Sequence, residues 1–339
     1  MNMEITYKCL NKQIYTDAEF SLVPIRWEDR YKIMQWRNEQ IFHLRQNKKL
    51  TVEEQDAYFE NVISNLFEQE QPDQILFSML QGETCIAYGG LVHIDWKDKN
   101  AEISFVMNTS LESEKFNTLW SVYLELIEKV AFSEIRLNKI FTYSYEVRPK
   151  LYPILYQAGF IEKERVLGVI KLNNKSIDGL IHMKRKGDLS YRPVEYSDVQ
   201  LLFDWATDSS TRNNSINSKE ITWGEHVKWF NKKMNDSKST MFLFKKEKPV
   251  GVLRLDEVNS QFQISFSVDR KQRGKGIGNQ MIRFIIKKFP ENVFLAKVLE
   301  SNRGSHRIFL KNKFIVDSVS KIGNKIITNY IKEEFDGNY

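Results

Sequence analysis

Cysteine, long apolar runs and excess charge of one sign are all scarce in this sequence of 339 residues. The two cysteines, Cys9 and Cys85, lack metal-ligand spacing, so the sequence predicts neither a disulfide framework nor a metal site. No apolar run approaches the roughly 20 residues that a membrane span requires, and the opening MNMEITYKCLNKQIY has no signal-peptide core. The net charge of +6 is small and dispersed, which disfavours nucleic-acid binding. We therefore expect a cytoplasmic protein without nucleic-acid or membrane partners.

An internal repeat indicates two domains. The matching segments, which keep the same order in both halves, are 22–36 with 190–205 and 146–160 with 300–314. Each copy has the pattern of helices, antiparallel strands, and then strand, helix, strand and helix. The charged break KRKGDLSYRP places the boundary near Gly187, giving domains 1–186 and 187–339. Chance resemblance between amphipathic segments is the alternative explanation.

A loop with three glycines lies between a strand-like run and an amphipathic run in the second domain. The strand is FQISFSV, 262–268, and the following stretch DRKQRGKGIGNQMIRFIIKKF has its apolar residues at helical spacing after Gly278. Glycine lets the backbone approach a ligand, and the amides at a helix N-terminus favour an anion such as phosphate. The Walker pattern is absent, and Asn279 stands where the dinucleotide pattern requires glycine.

The spacing Arg273-x-x-Gly276-x-Gly278 resembles the pyrophosphate motif of the GNAT acetyltransferase superfamily. A second motif follows in NRGSHRIFLKNKF, where Asn302, Ser305 and Phe309 match the helix that packs beside the cofactor in that family. Phe309 replaces the tyrosine that usually protonates the leaving thiolate in that family, which weakens the case for acetyl transfer without excluding it. Lys313 replaces a glycine. The resemblance implies an α/β (α+β) fold class, with two tandem GNAT domains whose mixed, mostly antiparallel sheets are flanked by helices.

The resemblance also implies acetyl-CoA as the acetyl donor and a small-molecule amine as acceptor. The pantetheine arm is expected along the strand that ends at Val268, and a backbone N–H near Val268 is the candidate oxyanion donor. The implied cofactor-binding residues are Phe266, Val268, Arg273, Gly274, Lys275, Gly276, Ile277, Gly278, Asn279, Asn302, Ser305 and Phe309.

Residues for the acceptor and for proton transfer follow less directly. Glu300, at the end of a strand, and His226, on the helix WGEHVKWF, are the candidate bases, and each is also consistent with a solvated surface residue. The candidate acceptor contacts are Ser215, Asn217, Trp229, Arg254 and Asp256. Trp229 also fits a core position, and a structural salt bridge would equally explain Arg254 with Asp256.

Three functions remain open at this point. The second domain resembles acetyltransferases of bacterial surface-sugar pathways of the nonulosonic-acid type, which implies an amino-sugar or sugar-nucleotide acceptor. The opening LVPIRWEDRYKIMQWRN resembles ribosomal-protein acetyltransferases, and Phe309 is also compatible with a non-catalytic acyl-CoA-binding or scaffold protein. A homodimer is one assembly that the family allows.

The first domain lacks the cofactor signals of the second. Glu112, Glu114 and Lys115 occupy the positions of the phosphate loop, where no glycine is present, and Arg148 replaces the motif asparagine. Carboxylates at those positions would repel a polyanion. We therefore expect the first domain to be degenerate, and to stabilise the pair or shape the acceptor site.

Overall fold

The two halves of the chain begin a helix in the same way. A computed structural model describes residues 6–172 and 174–333. In it, Thr51 and Thr222 each accept a hydrogen bond from the amide three residues later. Glu54 and Glu225 complete the two capping boxes, which fix the first helical turn. The chain divides into two compact units, Met1–Asp188 and Leu189–Tyr339, called unit one and unit two below.

Unit one is built on an eight-stranded sheet. Its strands are β1 Tyr15–Asp17, β2 Phe20–Pro24, β3 Ile75–Gln81, β4 Thr84–Asp95, β5 Asn100–Met107, β6 Lys139–Tyr145, β7 Ile161–Leu172 and β8 Lys175–Arg185. Its α-helices are α1 Arg30–Glu39, α2 Val52–Tyr58, α3 Ser64–Phe67, α4 Glu112–Glu128 and α5 Leu151–Gln157. The strand order is β1-β2-β3-β4-β5-β6-β8-β7.

Unit two repeats this plan with a seven-stranded sheet. Its strands are β9 Ser190–Pro193, β10 Ser239–Lys245, β11 Pro249–Val258, β12 Gln261–Val268, β13 Phe294–Leu299, β14 Ile315–Ile322 and β15 Lys325–Lys332. Its α-helices are α6 Val199–Thr207, α7 Ser209–Asn213, α8 Trp223–Met234, α9 Ile277–Lys288 and α10 Arg303–Lys311. The strand order is β14-β15-β13-β12-β11-β10-β9.

The unit-two sheet is covered on both faces, because successive strand side chains point to opposite sides. On β10, Phe242 and Phe244 join the core with α9 and α10, whereas Met241 and Leu243 pack with α6 and α8. Both units are mixed, mostly antiparallel sheets flanked by helices, which confirms the predicted fold class.

Each sheet contains a parallel pair whose pairing covers three residues before the strands part. In unit two, β12 and β13 pair from Phe262 with Phe294 to Ile264 with Ala296. In unit one, β5 and β6 pair from Asn100 with Lys139 to Glu102 with Phe141. Beyond these residues the two strands of each pair diverge, which opens a gap between their backbone edges. Along the described ranges, no helix combines the length and apolarity needed to cross a membrane.

Candidate active site

The glycine loop of unit two adopts a conformation that side chains rarely tolerate. Gly274 and Gly276 have φ of +78° and +77°, in the left-handed region. Gly276 is the N-cap residue of α9, and among the described residues no side chain caps this helix. The first-turn amides of an α-helix have no partner within the helix. The loop therefore presents backbone N–H donors, with the positive end of the helix dipole behind them.

Gly278 and Asn279, also predicted in this loop, hold α9 against α10. A Cβ on Gly278 would lie 2.9 Å from Ile308 Cδ1 and 3.0 Å from Phe266 Cε2. The Asn279 Oδ1 accepts a hydrogen bond of 2.9 Å from Asn312 Nδ2. The side-chain position at 278 is therefore a packing position, while the loop amides remain available to a ligand.

The two loop cations differ in their surroundings. Arg273 lies 3.0 Å from the Asp208 carboxylate, and it donates to Thr211 Oγ1 at 2.8 Å and to the Val268 carbonyl at 3.0 Å. Its guanidinium thus anchors the loop to α7 and β12. Lys275 is exposed and donates to Gln272 Oε1 at 3.1 Å. Lys275 is the loop cation better placed to meet a ligand phosphate.

The open edge of β12 is defined by its hydrogen bonds. Phe262 donates its amide to Val293 at 2.9 Å on the β13 side, and Asp269 donates to Val250 at 2.9 Å on the β11 side. Because antiparallel pairing alternates along a strand, the backbone groups of Phe266 and Val268 face the gap between the parted strands. These are the positions predicted for the pantetheine edge and the oxyanion donor.

The second motif closes this gap from the helix side. Asn302 caps α10, its Oδ1 accepting from the Ser305 amide at 3.1 Å. Phe309 is buried, with its ring centroid 5.9 Å from that of Phe266 and 5.8 Å from that of Tyr330. Asn302 and Ser305 therefore shape the helix start, and Phe309 is part of the apolar packing beside the gap.

A cavity of about 630 Å³ opens on the α6 and α8 side of the same sheet. Its walls combine three aromatic rings with polar side chains: Trp205, Trp229, Phe266, Arg212, Ser215, Asn217, Lys219, Glu220, Glu225, His226, Arg254, Ser265 and Ser267. Ser215, Asn217, Trp229, Arg254 and His226 were all predicted, whereas Asp256 and Glu300 are not part of this lining. The structure thus brings most of the acceptor candidates together.

His226 is buried among aromatic rings at the cavity wall. Its side chain is 2% exposed, and its ring lies 5.5 Å from that of Trp229 and 5.3 Å from that of Phe203. Nε2 lies 3.1 Å from the Val199 carbonyl, which requires this nitrogen to carry a proton. Burial lowers the pKa of His226, so the ring is neutral near pH 7 and Nδ1 holds the lone pair.

Arg254 and Asp256 form the salt bridge that the sequence allowed. Arg254 Nε donates to Asp256 Oδ2 at 2.7 Å, and Lys233 Nζ donates to Oδ1 of the same carboxylate at 2.7 Å. Burial alone would raise the pKa of Asp256, but these hydrogen bonds and charges outweigh burial, and the pKa is lowered. The Arg254 guanidinium also lies 5.2 Å above the Trp229 ring, so it is fixed in orientation while lining the cavity.

Glu300 lies outside this arrangement. It is exposed just after β13, and its amide donates to the Ile326 carbonyl at 3.0 Å. Arg212, by contrast, lines the cavity and was not predicted. It lies on the short helix α7, just before a polar segment, and no sequence pattern distinguishes it there from a solvated cation.

In unit one the positions of the phosphate loop are helical. The repeat aligns Glu112 with Arg273, and α4 begins at Glu112. The Glu112 carboxylate accepts a hydrogen bond from Arg148, which is 8% exposed, and lies 3.5 Å from Lys150 Nζ. Burial and the Arg148 guanidinium lower the pKa of His43 to about 3. The Glu112 carboxylate therefore already pairs with Arg148 and Lys150, the cations that a bound phosphate would need.

Replacing Arg148 by methionine should destabilise unit one by roughly 2 kcal/mol, because the Glu112 carboxylate would stay largely buried and lose its main partner. Chemical denaturation measures this loss. Lys129→Met is the matched control, since Lys129 makes an exposed pair with Glu125 at 3.9 Å and such pairs contribute little. Equal free energies of unfolding for the two variants would mean that the Glu112–Arg148 pair does not stabilise unit one.

Comparison with known proteins identifies one family in both halves. Two protein-family models match the chain, each described as an acetyltransferase (GNAT) domain, over residues 22–181 and 188–315. A stretch of 132 residues is 24% identical to acetyltransferase PseH of Campylobacter jejuni, covering 38% of this chain and 83% of that protein.

Solved structures give broader matches. Spermidine N-acetyltransferase from Vibrio cholerae, in complex with CoA and spermine, is 15% identical with a TM-score of 0.44, covering 51% of this chain and 98% of that one. The ribosomal L7/L12 alpha-N-protein acetyltransferase RimL, in complex with CoA, is 16% identical with a TM-score of 0.39, covering 43% and 94%. Both TM-scores are below 0.5, so these two matches support no argument about function.

Proposed function

Because the chain belongs to the GNAT acetyltransferase superfamily, with a family domain in each half, we propose that unit two acetylates the primary amine of an amino sugar or sugar nucleotide. The protein is an acetyl-CoA-dependent N-acetyltransferase. We further propose that this reaction serves surface-polysaccharide biosynthesis.

The residues of unit two fit acetyl-CoA. Gly276 is the N-cap of α9, and no side chain from the described part of the chain caps this helix, so the amides that follow are available to the pyrophosphate. A Cβ on Gly274 or Gly276 would meet nothing within 4 Å among the described residues, which leaves space above the loop. The backbone edge at Phe266 and Val268 suits an extended chain with amide groups. Lys275 adds an exposed positive charge beside the loop.

The transfer requires proton handling and charge stabilisation from the protein. When bound, acetyl-CoA supplies a thioester whose carbonyl carbon bonds to the amine nitrogen as the carbon–sulfur bond breaks. The Val268 amide, directed into the gap, is our candidate donor to the developing oxyanion. His226 is the favoured base, since it lines the cavity and is neutral, and Glu300 is the second candidate. Phe309 cannot donate a proton, but a thiol of pKa about 8.5 leaves without a strong acid.

The observation that carries the acceptor assignment is the wall chemistry of the cavity. Trp205 and Trp229 offer flat apolar faces, and Ser215, Ser265 and Ser267 offer hydrogen-bonding groups between them. The charged side chains of the wall are three cations, Arg212, Lys219 and Arg254, and two carboxylates, Glu220 and Glu225. This excess of positive charge favours a ligand with negative charge, such as the diphosphate of a sugar nucleotide, over a polyamine. The size is that of an ordinary small-molecule site. The resemblance to acetyltransferases of nonulosonic-acid pathways supports the same acceptor class.

A panel of acceptors tests this proposal. CoA release would be measured with amino sugars, nucleotide-linked amino sugars, peptides with free N-termini, and spermidine. Highest turnover with an amino sugar or its nucleotide supports the proposal. Preference for peptides would indicate a protein N-terminal acetyltransferase, and no release with any amine, despite acetyl-CoA binding, would indicate a non-catalytic acyl-CoA-binding protein.

The base is tested by His226→Gln, which keeps an N–H donor for the Val199 carbonyl and removes the titrating group. We expect kcat to fall by about 10²-fold. In the wild type the rate should fall as pH drops through the lowered pKa of His226, because the base must be neutral. The variant should lose this acidic limb in a pH–rate profile. Glu300→Gln should change neither kcat nor the acidic limb. If Glu300→Gln loses both and His226→Gln keeps both, the base is Glu300.

A further inference from the structure

One wall of the cavity is a segment without regular secondary structure. Residues 214–222 connect α7 to α8 and are here called the acceptor loop. Five of its members line the cavity: Ser215, Asn217, Lys219, Glu220 and Ile221. A loop of this kind has no ladder of backbone hydrogen bonds to fix its shape, so its conformation depends on side chains that bind its carbonyls.

Arg212, on α7, binds the acceptor loop that follows it. Its Nη1 donates to the carbonyls of Asn217 at 3.0 Å and Lys219 at 3.2 Å, and its Nη2 donates to Ser215 Oγ at 2.9 Å. Its Nε donates to the Ala206 carbonyl at 2.7 Å. The planar guanidinium therefore ties the loop to the end of α6 through its hydrogen bonds.

Lys325 binds the same loop from a distant part of the chain. It begins β15, directly after the tight turn that joins β14 to β15. Its ammonium donates to the Ile216 carbonyl at 2.9 Å, the Ser218 hydroxyl at 2.9 Å and the Ser215 carbonyl at 3.4 Å. All three acceptors are uncharged oxygens of the acceptor loop, and they match the three donors of an ammonium group.

We propose that Lys325 is a positioning residue for the acceptor, and that the turn of the β14–β15 hairpin thereby belongs to the acceptor site. Charge-assisted hydrogen bonds are stronger than neutral ones, and three of them converge on consecutive parts of a segment that lines the cavity. Arg212 fixes one side of the loop and Lys325 the other. Without Lys325 the loop would keep its hydrogen bonds to Arg212 but lose those at the Ser215 and Ile216 carbonyls and the Ser218 hydroxyl. The shape of the cavity wall at residues 215–218 would then be less fixed, while the glycine loop would be untouched.

This inference rests on the proposed function in one respect, namely that the cavity is the acceptor site. Its test uses the full chain with Lys325→Met, and Lys321→Met as the matched control, because Lys321 is an exposed lysine on the same hairpin. We expect Lys325→Met to raise the KM for the best acceptor of the panel about tenfold, with the acetyl-CoA Kd unchanged. Lys325→Arg should restore most of the lost affinity, and Lys321→Met should behave as wild type.

Amide hydrogen exchange gives a readout that needs no acceptor. The amides of Ser215 and Lys219 donate to the Arg212 carbonyl and to Asn217 Oδ1, each at 3.1 Å. In Lys325→Met these two amides should exchange faster than in the wild type, and those of 274–280 at the same rate. Unchanged exchange at Ser215 and Lys219 would overturn the positioning role, whatever the activity. Faster exchange with an unchanged acceptor KM would place the acceptor elsewhere and overturn the inference. If no amine is acetylated, the proposed acceptor fails, while the exchange data still decide whether Lys325 holds the loop.

Discussion

Replacement of Gly276 by valine should abolish measurable acetyl-CoA binding. Residue 276 has a φ of +77°, which a β-branched side chain adopts only with strain of about 1–3 kcal/mol. The backbone would relax toward negative φ, and the first amides of α9 would turn away from a common point. Because the pyrophosphate depends on those amides, we expect the Kd measured by calorimetry to rise at least 100-fold.

Gly82→Val is the matched control for this experiment. Gly82 has a φ of +59° in a turn of unit one, and a Cβ there would also meet nothing within 4 Å in the part of the chain that the structure describes. The two variants therefore introduce the same kind of strain at comparable open sites. Thermal unfolding of both would show whether stability changes alike, and only the Gly276 variant should lose affinity. Retained affinity in that variant would mean that the loop is a turn without a binding role.

The intact chain should bind one acetyl-CoA, not two. In unit one, residues 112–115 are the first turn of α4 rather than an open loop, and the Glu112 carboxylate holds Arg148. An incoming diphosphate would have to displace that carboxylate and unwind a helical turn. Unit two has neither obstacle, since Arg273 and the glycines replace these residues in the aligned positions.

Calorimetric titration of the wild type and of Gly276→Val separates the two sites. We expect a stoichiometry near one for the wild type and no binding for the variant. A stoichiometry of two in the wild type, with one site surviving in the variant, would assign a functional cofactor site to unit one. The Gly82→Val chain should again match the wild type, because it alters neither glycine loop nor α4.

Local and repeated features were predictable from the sequence. The capping residues Thr51 and Thr222 act within three positions along the chain, and the alternation of polar and apolar residues in 262–268 marks the strand β12. The glycine loop was recognisable because positive φ and an uncapped helix start both depend on residues that are adjacent in sequence.

Contacts between distant residues could not be predicted in this way. Lys325 and Ile216 are 109 positions apart, and no local pattern marks a lysine that binds carbonyls. Gly278 was predicted from the motif to line the phosphate site, and that prediction concerns its backbone; that its Cβ position also packs against Ile308 is revealed only by the placement of α10. His226 was predicted as a candidate base from its residue type and its helix, while its neutral state depends on burial in the folded chain.

In unit one, buried polar side chains lie just beyond the point where β5 and β6 stop pairing. Just beyond the last paired residues, Thr142 on β6 faces His182 on β8, and Ser144 follows. Among the described residues, the hydroxyls of Thr142 and Ser144 and both His182 ring nitrogens have no hydrogen-bond partner. Each such group costs about 1–3 kcal/mol when it is desolvated. Polar groups of this kind lower the stability of unit one unless another molecule, such as water, pairs with them.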